Sequence, residues 1–146
     1  MNKELNDKLL SAIKLAEAGS FEVAIVELNQ ILENTQNPVA QSYKAYCEAH
    51  IYGRVKEGLQ TCQEMLKINY LNPAHHLIMG RILRMSNKRR EAIDVLKKGL
   101  KIERNALIMQ ELENMGIRKR PVFPSLDRDN RLNIISGKIL RKLGLR

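Results

Sequence analysis

The 146-residue chain predicts an all-α fold of three stacked helical hairpins, a capping helix and a C-terminal amphipathic helix. Three observations carry that expectation. Aromatic residues make up 4% of the chain, there is no Trp, and Leu, Ile, Ala, Glu and Lys abound, so strand formers are scarce. Apolar residues recur at helical spacing, as in Val23, Ala24, Leu28, Ile31 and Leu32. Finally, the sequence repeats itself at a period of 34 residues.

That period is visible at five positions. Ala24, Gly58 and Ala92 are each followed four residues later by Leu28, Cys62 and Leu96. The same offset links Leu32, Leu66 and Leu100, then Gly19, Gly53 and Asn87, then Leu15, Ala49 and Leu83. It divides the chain into repeats at about 5–38, 39–72 and 73–106, each read as two helices.

The first hairpin is expected over 5–18 and 21–33, the second over 39–52 and 55–68, the third over 73–85 and 88–102. Gly19, Gly53 and Asn87 fall in the turns inside the hairpins, where residues that tolerate positive φ are needed. Pro38 and Pro73 open the second and third units, because a helix's first turn has no use for the missing N–H. Ile93, Leu96, Leu100 and Ile102 give the sixth helix its buried stripe.

A short helix over 106–115 would cover the apolar edge left by the last repeat, completing a domain of residues 1–115. Gly116 ends it, and residues 116–129 form a basic, proline-containing linker too charged and proline-spaced to be helical. In the tail, residues 130–146, Asp129 or Asn130 offers an N-cap for a helix running to about Leu143. Leu132, Ile135, Ile139 and Leu143 fall on one face and Arg131, Lys138, Arg141 and Lys142 on another. An apolar face so regular calls for burial against the repeats, a partner or a membrane, and docking back onto the repeats or a second copy of them is the expectation.

Charge is unevenly distributed. Residues 1–72 carry 7 basic and 9 acidic side chains, whereas residues 73–146 carry 18 and 7. An excess of that size at one end suggests an anionic partner. Cys47 and Cys62 are too few for a disulfide scaffold and fit a reducing cytoplasm. The opening residues hold acids where a secretory leader needs a basic and then apolar run. No stretch reaches the ~18 apolar residues of a membrane span.

Catalytic signatures are absent: there is no P-loop, dinucleotide fingerprint, GxSxG elbow or HExxH. No metal and no cofactor are expected, since His75 and His76 point about 100° apart on a helix and His50 stands alone. Cys62 reads as a small core residue, and Cys47 as an inert thiol on the inner face.

The period, together with small residues at Ala24, Gly58, Ala92 and Gly80, resembles the tetratricopeptide repeat family over about residues 5–104. Lys8, Ser42 and His76 stand where that family usually has a bulky aromatic. The resemblance implies a right-handed α-α solenoid whose first helices line a concave groove. The lining positions carry over to Leu9, Ile13, Tyr43, Cys47, His50, Leu77, Arg81 and Arg84, a surface running from apolar to basic. Members that grip a peptide's terminal carboxylate hold Lys and Asn where Leu9 and Ile13 stand here, so that activity is not implied.

The function expected is therefore a non-enzymatic protein-protein scaffold or adaptor, whose partner is a peptide or helix with an apolar stretch followed by acidic residues. One alternative is attachment to an anionic surface, membrane or nucleic acid, through Arg118, Lys119, Arg120, Leu132, Ile135, Ile139 and Leu143. Membrane is favoured over nucleic acid because no aromatic follows Phe123 to stack on bases. A second alternative is self-association, a homo-oligomer pairing an acidic half with a basic one. Arg118, Pro121 and Pro124 also match a basic residue followed by PxxP, a polyproline II ligand.

Overall fold

The structure is a computed structural model that describes residues 3–117 and 130–144. The chain divides into two compact units, Met1–Met115 and Gly116–Arg146. Among the described residues there are eight helices and no strand.

The first unit contains α1 (Lys3–Glu17), α2 (Phe21–Asn34), α3 (Pro38–Tyr52), α4 (Val55–Ile68), α5 (Pro73–Met85), α6 (Arg89–Ile102) and α7 (Ala106–Asn114). Their ends lie close to those expected from the period. Local chemistry explains the boundaries. Asn37 accepts hydrogen bonds from the backbone N–H groups of Val39 and Ala40, and Asn72 from that of Ala74, with Pro38 and Pro73 in the following turn. Asn105 caps α7 through the N–H of Ile108. Inside the hairpins the chain reverses at Gly19, Gly53 and Asn87, with φ of 81°, 67° and 59°. Three left-handed residues at 34-residue spacing thus set three equivalent turns.

Helices adjacent in the chain pack against each other, and α1, α3, α5 and α7 also touch in succession. Each of α2, α4 and α6 lies against two odd-numbered helices and touches no other even-numbered one. The interior joins Ala12, Ala24, Leu28, Ala40, Cys47, Cys62, Ile78 and Ile82, all fully buried. Small residues sit where helices approach closely. A Cβ on Gly58 would lie 3.2 Å from Ile82 Cδ1 and 3.3 Å from the Ala45 carbonyl oxygen. One on Gly80 would lie 2.6 Å from Leu96 Cγ. A third close approach, at Gly99 beneath Ile108 and His76, lets α7 settle on α6 and was not anticipated from the sequence.

Helix α7 buries Ile108 and Leu112 on the α5 and α6 side of the unit. At the other end Leu10, Val23 and Val26 stay exposed. In the second unit, α8 (Arg131–Lys142) begins at Asn130, whose side chain accepts from the N–H of Leu132; of the two caps expected, this one is used. No helix among the described residues is long and apolar enough to cross a membrane.

Candidate functional site on the inner helix row

Helices α1, α3, α5 and α7 bring one polar cluster together. Arg81, one turn before the end of α5, lays its guanidinium fork on Glu17 at the end of α1. Nη1 donates to Oε1 at 2.6 Å and Nη2 to Oε2 at 2.8 Å. Its remaining edge donates from Nε to Glu111 Oε1 of α7 at 2.8 Å. The other carboxylate oxygen of Glu111 lies 3.1 Å from Arg84 Nη1, and Tyr43 of α3 donates its hydroxyl to Glu17 Oε1 at 3.2 Å. The guanidinium carbon of Arg81 also sits 5.4 Å from the Tyr46 ring centre.

Two arginines and two glutamates therefore neutralise one another where the sequence predicts the basic end of a groove. Burial by itself would push Arg81 down, but its hydrogen bonds to Glu17 and Glu111 and the charge of Glu17 hold it above the usual arginine value, permanently cationic. Burial raises the Tyr43 hydroxyl, and the neighbouring Glu17 charge raises it further. Tyr46 is raised for the first of those reasons as well.

Beside this cluster lies a small aromatic platform. Phe21 stacks on His50 with centroids 4.3 Å apart and planes 13° apart, and Tyr46 meets both edge-on at 5.7 and 4.8 Å. Partial burial, then the positive charges of Arg84 and Arg81, lower the His50 pKa, favouring the neutral ring.

The chain's own packing takes up most of the residues assigned to the groove. Leu9, Tyr43, Cys47, Leu77 and Arg81 are buried, Cys47 completely. Ile13 is half-buried, and His50 and Arg84 reach the surface. The reason is that the odd-numbered helices touch one another, so side chains one turn apart on their facing edges interlock instead of lining a channel. The accessible inner surface is consequently narrower than the expected one, more aromatic, and electrically balanced. Glu17 and Phe21 border it, the buried Glu111 and Tyr46 lie beneath it, and none of the four was anticipated. Glu17 and Arg81 are 64 residues apart, and no local spacing announces such a pair.

Elsewhere, Cys47 and Cys62 are free and buried, and burial pushes both thiols up to about 12. His75 Nδ1 and Ser42 Oγ lie 2.8 Å apart in the interior, and His76 Nε2 donates to the Tyr70 carbonyl at 2.9 Å. The two imidazoles face different partners, and no group of three or more His, Cys, Asp or Glu placed to hold a metal ion occurs among the described residues. A polar hollow of about 560 Å³ opens where Thr35 and Gln36 meet Lys44, Glu48 and Glu64. On α8, Leu132, Ile135, Ile139 and Leu143 are all more than half exposed. Arg118, Lys119, Arg120, Pro121 and Pro124 lie outside the described residues.

No protein-family model matches the chain, and no curated protein matches it.

Proposed function

We propose that residues 1–115 are a solenoid of the tetratricopeptide repeat type, right-handed and non-enzymatic, that acts as an adaptor by holding a partner peptide or helix on its inner helix row. One observation carries this reading: on a row of touching first helices, His50 is stacked on Phe21 and exposed beside Arg84, whose side chain is 46% accessible. A flat, neutral aromatic surface next to an arginine suits an apolar or aromatic anchor followed by a carboxylate. Glu111 already holds one edge of Arg84, so the electrostatic contribution of a partner carboxylate is modest and the aromatic contact dominates. Ile13, half-buried on α1, extends the apolar contact.

A photocrosslinking residue placed at His50 or at Arg84 in the source cell tests the proposal, with the outer-face position Gln63 as control. Adducts of one size, shared by both inner positions and absent at Gln63, are expected. Equal yields from all three overturn the inner-row assignment.

A second reading has its own observation. Helix α8 carries Arg131, Lys138, Arg141 and Lys142 and no acid, while Leu132, Ile135 and Ile139 on it and Leu143 at its C-cap remain in solvent. Such a helix suits the headgroup layer of an anionic membrane, each basic residue there contributing about 1 kcal/mol. Co-sedimentation with phosphatidylserine vesicles but not with neutral phosphatidylcholine is the expected result, abolished by Ile135→Asp with Ile139→Asp.

A further inference from the structure

Helices α2, α4 and α6 differ systematically in net charge. Helix α2 carries Glu22, Glu27 and Glu33 and no basic side chain, a net −3. Helix α4 balances Lys56 and Lys67 against Glu57 and Glu64. Helix α6 sets five basic residues against Glu91 and Asp94, a net +3. The gradient is exposed: Glu22, Glu33, Arg90, Lys97, Lys98 and Lys101 all stand in solvent. No ion pair engages Lys97, Lys98 or Lys101 among the described residues.

The heights of these charges match. Helices α2 and α6 each have 14 residues, and Glu22 and Glu33 precede Arg90 and Lys101 by 68 positions, two repeat lengths. The buried Ala24, Gly58 and Ala92 show that the three helices present the same face inward, hence the same face outward. A two-fold axis laid along α4 swaps left for right while keeping the helix direction. It sets α2 of one copy over α6 of the other, with Glu22 opposite Arg90 and Glu33 opposite Lys101, twice in the pair. On the axis Gln60 and Gln63 meet their own counterparts, amides that satisfy one another as donor and acceptor, and so do Lys56 and Lys67, one repeat on from Glu22 and Glu33, a like-charge cost that the four flanking acid–base pairs must exceed.

We propose that this chain forms a two-fold homodimer through the outer faces of α2, α4 and α6. A second copy is the occupant that the charges favour, since it satisfies the acidic and the basic ends at once. An anionic polymer would use α6 and leave the α2 excess unpaired. An interface related by a two-fold is self-complementary and closes at two copies.

Sedimentation velocity of the full chain over a concentration series at low ionic strength tests this. A monomer–dimer equilibrium is expected, weakened about tenfold or more at high salt because exposed charges are screened. Glu22→Lys with Glu33→Lys raises the dimer dissociation constant at least about tenfold, and so does Arg90→Glu with Lys101→Glu; the chain carrying all four dimerises again. All four substituted side chains are exposed, and circular dichroism checks that each variant keeps its helix content. A chain monomeric at every concentration overturns the proposal, whether or not it binds nucleic acid or an acidic protein. So do species that keep growing beyond a dimer, and a dimer indifferent to both charge reversals.

Discussion

Arg81 and Glu17 are joined by two parallel hydrogen bonds of 2.6 and 2.8 Å, although 64 residues separate them. The pair ties the end of the first helix to the fifth, across the third. Because Glu111 takes the remaining edge of the guanidinium, one side chain connects α1, α5 and α7.

Removing Arg81 leaves Glu111, only 9% exposed at its side chain, without its main partner. Arg81→Ala should lower unfolding stability by about 3–5 kcal/mol, the range for breaking a buried ion pair from one side. Glu17→Ala should cost less, because its carboxylate is 23% exposed and water replaces part of what is lost. Urea denaturation gives both values. Equal losses, or an Arg81→Ala loss below about 1 kcal/mol, would contradict the burial argument.

Gly80→Ala is expected to destabilise by about 1–3 kcal/mol, since the new methyl would press on Leu96 at 2.6 Å. Helix propensity alone favours alanine by about 1 kcal/mol, so the sign tests whether packing prevails. Shrinking the obstacle should relieve it: Leu96→Ala combined with Gly80→Ala costs less than the sum of the single changes. Gly58→Leu should be destabilising for the same reason, against Ile82 and the Ala45 carbonyl.

Acid should destabilise the fold through His75. Burial, then the neighbouring His76, pushes the folded-state pKa down to about 4 from an ordinary 6.5. A base with a depressed folded pKa contributes its full share of stability above pH 6.5 and loses it as pH falls from 6.5 through about 4. Each pH unit in that window is worth up to about 1.4 kcal/mol. His75→Gln should flatten the dependence of the urea midpoint on pH between those limits. A parent and variant that fall in parallel would place the acid sensitivity elsewhere.

Cys47 and Cys62 should react slowly with alkylating reagents while the chain is folded, as buried thiols pushed up to about 12 hold almost no thiolate at pH 8. Mass spectrometry should find both unmodified in buffer and both labelled in urea. Rapid labelling of Cys47 in buffer would show the inner row to be more open than its complete burial implies.

The sequence by itself determined the helices and where they turn. Gly19, Gly53 and Asn87 recur at one spacing because each hairpin needs a left-handed residue at the same point, and the buried stripes follow from a period of 3.6. These are local rules, written within a few residues of where they act. Only the tertiary structure decided which inner-row side chains remain free. Whether Leu9, Cys47 and Leu77 line a groove or fill it depends on how closely α1, α3 and α5 approach, and that distance is set by packing across dozens of residues. The same holds for Glu17 and Glu111. A carboxylate at a helix end reads as a solvated charge until another helix brings a guanidinium within 3 Å, and with it the basic end of the expected groove becomes neutral.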